Sequence, residues 1–173
     1  MSAATNGPAL ILIGPPGAGK STVGHLLAAA WGTTFRDTDA DVEAAAGRSI
    51  PDIFIDDGEE VFRALERTAV ATALAEHDGI LALGGGAVLD EGTQAALAGR
   101  RVVYLSVSLA HASPRVGLSG NRPLLVGSPR RQWQVLMDAR RPVYTALASV
   151  EVSTDGRSPE QVRDAVLAEV ALP

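Results

Sequence analysis

Apolar positions in this chain fall into short unbroken runs separated by stretches of helical period. Ala9–Ile13 (ALILI) is apolar throughout and bounded by Pro8 and Gly14, as a strand buried on both faces would be. Ser21–Trp31 follows with a helical pattern, then Thr33–Arg36 as a short β-prone segment ending against Asp37-Thr38-Asp39. Ala40–Ala46 reads as a helix stopped by Gly47, and Ser49–Phe54 as a short helix with a serine cap and Pro51 in its first turn. Gly58–His77 is the longest helical pattern, with Val61, Leu65, Thr68, Ala69 and Thr72 on a shared face. Ile80–Leu83 predicts a strand that runs into Gly84-Gly85-Gly86, Gly92–Ala98 a helix, and Arg101–Val107 a further strand. Leu109–Arg115 is helical, Val116–Pro129 is a loop rich in Gly, Ser and Pro, and Arg130–Ala148 is a helix that Pro142 should kink or interrupt. Val150–Ser153 predicts a last strand and Pro159–Leu172 a closing helix.

Strands alternating with helices imply right-handed crossovers and a mostly parallel sheet. Such a sheet binds ligands beyond the carboxyl ends of its strands. No repeat, low-complexity tract or linker divides the chain, so residues 1–173 are expected to form one domain.

Composition narrows the function. There is no cysteine, which excludes disulfide scaffolds, thiolate metal sites and cysteine nucleophiles. A net charge of −5 and an aromatic content of 4% argue against nucleic-acid binding and against an anionic membrane surface. No apolar run approaches the roughly 20 residues that span a bilayer. The opening MSAATNG lacks a basic segment followed by an apolar one. A soluble cytoplasmic protein is the expectation. Every basic residue but one is arginine or histidine; the exception is Lys20, which suggests a position that needs a compact ammonium.

Lys20 lies in Gly14-Pro15-Pro16-Gly17-Ala18-Gly19-Lys20-Ser21, a full match to G-x-x-x-x-G-K-[ST] between a predicted strand and a predicted helix. Glycines let the loop turn its amides inward, and the helix N-terminus adds partial positive charge. Lys20 can reach the outer phosphates of a nucleotide, and the Ser21 hydroxyl can ligate Mg²⁺. ATP or GTP binding is the strongest single reading of the chain.

The acceptor is less directly written. Asp37 and Asp39, two apart at the end of the second strand, could face one side of an extended chain. One would then hold the hydration shell of Mg²⁺ and the other accept a substrate proton, although helix capping explains the same residues. Gly84–Gly86 permits either close approach to a ligand or an ordinary flexible turn. The third strand ends in glycine and not aspartate, so any carboxylate that supports a metal comes from elsewhere, with Asp37 nearest. Arg63 and Arg140 could form paired bonds with a substrate carboxylate, or simply face solvent. Arg122, in the glycine-rich loop, could close over a phosphate or stay solvated.

Taken in order, GPPGAGKST at Gly14–Thr22, DTD at Asp37–Asp39, IF…DGE…FR..E from Ile53 to Glu66, GGGAVL at Gly84–Leu89, RPLL at Arg122–Leu125 and R-x-P-V-Y at Arg140–Tyr144 resemble the shikimate kinases. The resemblance covers nearly the whole chain. The first motif is common to many nucleoside triphosphatases, and the ordered set is far more specific.

The resemblance implies a three-layer α/β/α fold with a five-stranded parallel sheet, of the P-loop, nucleoside-monophosphate-kinase type. It implies a substrate-binding segment at 38–66 and a lid at 116–129. It implies transfer of the ATP γ-phosphate to the 3-hydroxyl of shikimate, with Mg²⁺, in aromatic amino-acid biosynthesis. Asp39 would hold the shikimate hydroxyls and act as base. Arg63 and Arg140 would clamp the carboxylate. Gly84, Gly85 and Gly86 would line the same pocket, with Gly85 as the backbone contact and Phe54 and Phe62 as apolar walls. Gly17, Ala18, Gly19, Lys20, Ser21 and Thr22 would hold the phosphates, with Lys20 and the lid residue Arg122 acting in catalysis. Arg115 and Arg157 would flank the adenine, and Ser21 and Asp37 would serve Mg²⁺, Asp37 through water. A monomer is expected.

Three positions depart from the family pattern: His25 stands where arginine is common, Val143 where leucine is frequent, and Ala139 where an acidic residue often precedes the clamp arginine. None has a direct role, and the scattered histidines form no metal-ligand spacing. Another P-loop small-molecule kinase, such as a gluconate kinase, and a non-catalytic nucleotide-binding relative are the competing readings. The DTD, GGG and RPLL set speaks against the first, and the intact Lys20, Asp39 and clamp arginines against the second.

Overall fold

The computed structural model describes residues 7–115 and 129–171, without the side chains of residues 113–115. Its centre is β1, Leu10–Ile13, all four residues of which are buried. A continuous apolar run suits a strand covered on both faces. β1 is flanked by β3 (Ile80–Ala82) and β4 (Val102–Ser106); β2 (Phe35–Asp37) and β5 (Val150–Ser153) form the edges of a five-stranded sheet in the order β2-β3-β1-β4-β5. Every pairing is parallel.

Alternation along β1 divides the core. Leu10 and Leu12 pack into one layer with Leu27 of α1 (Lys20–Trp31) and Val162 and Val166 of α8 (Pro159–Glu169). Ile11 and Ile13 pack into the other with Val70 and Leu74 of α4 (Glu59–Glu76), Leu97 of α5 (Glu91–Leu97) and Tyr144 of α7 (Pro129–Leu147). A third, smaller cluster of Val42, Ile53 and Phe62 joins α2 (Thr38–Ala46) and α3 (Ile50–Asp57) to the start of α4. A short 3-10 turn, Ala87–Leu89, follows β3, and α6 spans Leu109–Arg115.

Chain order places β2 and β3 on one side of β1 and β4 and β5 on the other. The carboxyl end of β1 is therefore the point where the winding reverses and where a cleft opens. Local signals set the helix ends around it. Gly19 (φ 86) and Gly32 (φ 64) bracket α1 in left-handed conformations. Gly58 alone separates α3 from α4, with φ 88. Ser158 and Gln161 form a reciprocal capping box on α8.

Most elements appear where the periodicity predicts them, with ends moved by a residue or two, and three differences matter. α3 continues to Asp57 instead of stopping at Phe54. α2 begins at Thr38, so Asp39 is helical and does not extend β2. α7 starts at Pro129 and runs unbroken through Pro142. Pro142 is exposed, as is Asp138 one turn earlier, so the carbonyl that proline leaves without a helical donor faces water. The rest of the predicted 116–129 loop, Arg122 included, lies outside the described residues.

Candidate active site

The loop between β1 and α1 turns through Gly14 (φ 148), Gly17 (φ 85) and Gly19 (φ 86), a path closed to residues with a side chain. Gly14 is also packed against the Leu105 carbonyl, where a Cβ would collide. Lys20 bends back over the loop and donates to the carbonyls of Gly14 (2.8 Å) and Pro15 (3.1 Å). Burial pushes its ammonium down to about 8, against the attraction of Asp39 and Asp37 and with Arg140 adding to the fall. A bound polyphosphate would supply the negative charge this ammonium lacks.

A cleft of about 420 Å³ opens beyond β1, and Gly17, Gly19, Lys20, Ser21, Thr22, Asp37 and Asp39 all line it, with Pro16 and Leu83. Ala18 instead turns into the core. The geometry of the two aspartates is not that of an extended pair. Asp37 ends β2 and caps α2, accepting the Asp39 N–H at 2.9 Å through Oδ1. Its Oδ2 accepts the Ser21 hydroxyl at 2.8 Å. Capping and site roles thus belong to one carboxylate, and Asp39 rises from the first turn of α2. Burial, reinforced by Asp37 and by Glu66, pushes the Asp39 carboxyl up to about 6; Lys20 pulls the other way. A carboxyl with that value is a competent proton acceptor near neutrality.

Ser21 and Asp37 present hard oxygen donors at the edge of this cleft. Mg²⁺ is commonly held by one or two protein oxygens together with phosphates and water, and this pair fits that pattern. Among the described residues no group of three or more His, Cys, Asp or Glu could form an all-protein cage.

Gly84–Gly86 follows Leu83, which lines the cleft, but the three glycines, Arg63, Arg140, Phe54 and Phe62 are not part of that lining. None of the three has a left-handed φ, so conformational freedom does not account for them. Space does. A Cβ on Gly84 would collide with Asp39, one on Gly85 would lie 2.8 Å from the Pro16 ring, and one on Gly86 would lie 2.5 Å from Arg63 Nη1. The glycines admit the protein's own functional side chains. Arg63 donates to Glu66 Oε1 at 2.8 Å and stands over the Phe62 ring, 5.2 Å from its centroid. Phe54 and Phe62 pack ring to ring at 4.7 Å, with Phe62 buried and Phe54 partly exposed. Arg140 is buried on α7, and its Nε has no hydrogen-bond partner.

On the other side of the phosphate loop a second cavity, about 260 Å³, is lined by Gly19, Thr22, Val23, Thr154, Arg157 and Pro159 among others. Its apolar walls and single guanidinium suit a nucleobase. Arg115 ends α6, its side chain being outside the described set. His25 packs against Phe35, with centroids 4.4 Å apart.

Sequence reading assigned no role to four residues that shape the site. Glu66 is buried and holds Arg63. Thr38, fully buried, accepts the Gly84 N–H at 3.1 Å and ties α2 to the glycine turn. Pro16 packs on Gly85, and Tyr144 donates to the Gly85 carbonyl at 2.5 Å. All four lie inside motifs, so position alone was their signal.

A parallel sheet in the order β2-β3-β1-β4-β5, with a phosphate loop after its central strand, defines a P-loop kinase of the nucleoside-monophosphate-kinase type. Residues 16–171 match the family model for shikimate kinase. A shikimate kinase of Streptomyces avermitilis is 60% identical over 160 residues, 92% of this chain and 94% of that one. One of Streptomyces coelicolor is 57% identical over 165 residues, 95% of this chain and 96% of its own. The solved shikimate kinase from Acinetobacter baumannii, in complex with shikimate, superposes with a TM-score of 0.86 at 32% identity, covering 96% of this chain and 93% of that one. The chain belongs to the shikimate kinase family.

Proposed function

We propose that this chain transfers the γ-phosphoryl group of ATP to the 3-hydroxyl of shikimate, giving shikimate 3-phosphate and ADP in aromatic amino-acid biosynthesis. The observation that carries the reading is the meeting of Lys20, Ser21, Asp37 and Asp39 in one cleft. The adjoining turn, Gly84–Gly86, is packed against Asp39 at Gly84 and Arg63 at Gly86.

The loop amides from Gly17 to Thr22 and the Lys20 ammonium receive the phosphates. Ala18 shapes the loop from within. Ser21 and, through water, Asp37 would hold Mg²⁺, which would offset negative charge on the phosphates. Arg63, Arg140 and the Gly85 backbone fix the substrate carboxylate, and Phe54 and Phe62 wall the pocket. Asp39 orients the acceptor hydroxyl. As the hydroxyl oxygen bonds to the γ-phosphorus and the bond to the bridging oxygen of ADP breaks, Asp39 takes the proton. Such a transfer needs alignment and charge stabilisation more than covalent help.

Arg122 is proposed as the lid arginine that balances transition-state charge, in a lid at 116–129 that excludes water. Arg157 and Arg115 are proposed to flank the adenine. Residues 38–66 are proposed as the substrate-binding segment, which is consistent with their separate small core. All these groups lie on one chain, so a monomer is the proposed working unit. The cytoplasm, where ATP is supplied, is the proposed location; among the described residues no helix is long and apolar enough to cross a membrane.

A coupled ADP-release assay with shikimate, quinate and gluconate tests the reading. Turnover with shikimate well above the other two is expected. Preferential turnover of gluconate would replace the acceptor assignment.

A further inference from the structure

Helix α7 sends two side chains toward the site from one face, Arg140 and, one turn on, Tyr144. The acceptor reading uses Arg140 and leaves Tyr144 without a task. Tyr144 is fully buried, and its ring stacks on Tyr104 with centroids 5.0 Å apart and planes at 24°. Phenylalanine could make the same packing contacts, so the hydroxyl is what needs an explanation. It donates to the Gly85 carbonyl at 2.5 Å. Burial pushes the phenol up to about 12, against the pull of Arg140, so it remains a donor across the working pH range.

A trans peptide unit is planar, and its C=O and N–H point in opposite directions. Holding the Gly85 carbonyl toward α7 therefore turns the Gly86 N–H away from α7. Gly86 is buried, and among the described residues its N–H has no protein acceptor. A buried N–H in that state normally finds a partner. Beside it stands the Arg63 guanidinium, close enough that a Cβ on Gly86 would collide with it. A donor and a cation converging on one spot complement an anionic oxygen.

We infer that Tyr144 is a positioning residue for substrate binding: by pinning the Gly85 carbonyl it aims the Gly86 N–H, beside Arg63, at the carboxylate of the acceptor. The inference rests on the shikimate reading above. It gives the Arg140–Tyr144 motif a single physical sense, in which one helix face delivers a guanidinium to the ligand and a hydroxyl to the peptide that also meets it.

Steady-state kinetics of Tyr144→Phe test it. The expected result is a rise of about tenfold in the KM for shikimate, the size of one lost charged hydrogen bond. The KM for ATP and kcat stay within about twofold of the parent. Tyr104→Phe removes the hydroxyl from the other ring of the stack and should leave the shikimate KM unchanged. A hydroxyl with only a packing role would lower the melting temperature of Tyr144→Phe and leave its KM alone, which overturns the inference while shikimate turnover by the parent chain keeps the functional reading standing. No shikimate turnover by the parent overturns both. The chain has two tyrosines, so 3-fluorotyrosine labelling of the full protein gives a readout that keeps the Tyr144 hydroxyl. Saturating shikimate should shift the Tyr144 fluorine resonance, assigned by the signal that survives in Tyr104→Phe. An unmoved resonance would also overturn the inference.

Discussion

Ser21 Oγ donates to Asp37 Oδ2 across 2.8 Å, joining the first turn of α1 to the last residue of β2. The other oxygen of Asp37 caps α2 through the Asp39 N–H. Asparagine is as good a cap as aspartate but carries no charge. Asp37→Asn should therefore fold with nearly unchanged stability, within about 0.5 kcal/mol. Its half-saturating Mg²⁺ concentration should rise by about tenfold, the loss of roughly one charged contact. Titrating Mg²⁺ in the ADP-release assay reads this directly; an unchanged midpoint would remove Asp37 from the metal assignment.

Asp39 sets the acid side of the pH profile. Its carboxyl must be ionised to accept a proton, and burial holds it at about 6, so kcat/KM for shikimate should climb as pH rises through that value. Lys20 must be charged to capture phosphate, and burial brings it to about 8 in the unliganded chain, so kcat/KM for ATP should fall above that pH. Asp39→Asn should retain ATP binding and lose about 10²–10⁴-fold in kcat. Stability should move the other way. The folded value of about 6 exceeds the ordinary 3.8, so folding is favoured below 3.8 and that advantage is lost as pH rises through 6. At pH 7–8 the neutral asparagine should raise the stability of the unliganded chain by on the order of 2 kcal/mol, and at pH 4 by little. Melting curves at the two pH values check the sign.

Much of this architecture was legible because each element carried its own signal. The unbroken apolar run of β1, the helical period of α4 and the glycine-lysine loop depend on neighbours in sequence. What stayed hidden depends on neighbours in space. Spacing left Asp37 and Asp39 open between an extended pair and a helix cap, because the Asp37 cap that starts α2 at Thr38, two residues before the predicted Ala40, competes with β pairing at the sheet edge. Pro142 looked like a break because periodicity does not reveal that the carbonyl it abandons faces water. Gly84–Gly86 left flexibility and close approach equally open, since the Asp39, Pro16 and Arg63 side chains that demand the space come from three other elements. Tyr144 lay inside a recognisable motif, yet its partner, the Gly85 carbonyl, appears only when α7 packs beside the turn after β3; Glu66 pairs with Arg63 one turn back on its own helix, and what stayed hidden there was its burial.

The two proposed clamp arginines should be separable by stability although both are assigned to the same group. Arg63→Ala and Arg140→Ala should each raise the KM for shikimate by about 10- to 100-fold, from charged bonds of roughly 1.5–3 kcal/mol. Arg63 also pairs with Glu66, which is only 4% exposed. Its removal strands a buried carboxylate, a change that costs about 3 kcal/mol or more. Arg140 has a buried Nε without a partner, so its loss relieves one unsatisfied group as it removes the side chain. Arg63→Ala should melt at a clearly lower temperature than Arg140→Ala. Equal melting temperatures would mean that Glu66 finds another partner.

The glycine turn makes the sharpest distinction between binding and chemistry. Gly86 has φ −97, which alanine accepts, so Gly86→Ala strains no backbone. The new Cβ instead displaces the Arg63 guanidinium, and the KM for shikimate should rise by about tenfold or more with kcat largely kept. At Gly84 the colliding atom belongs to Asp39, with Glu66 Oε2 next at 3.1 Å. Moving the proton acceptor affects the transition state more than the ground state, so Gly84→Ala should lower kcat by about 10²-fold. Gly99→Ala is the control: φ is +76 and nothing lies within 4 Å of its Cβ, so it should cost about 1 kcal/mol of stability and leave both kinetic constants alone. If the Gly84 and Gly86 variants instead show the same kinetic defect, the turn deforms as one unit, and the separate fitting of Asp39 and Arg63 against it is wrong.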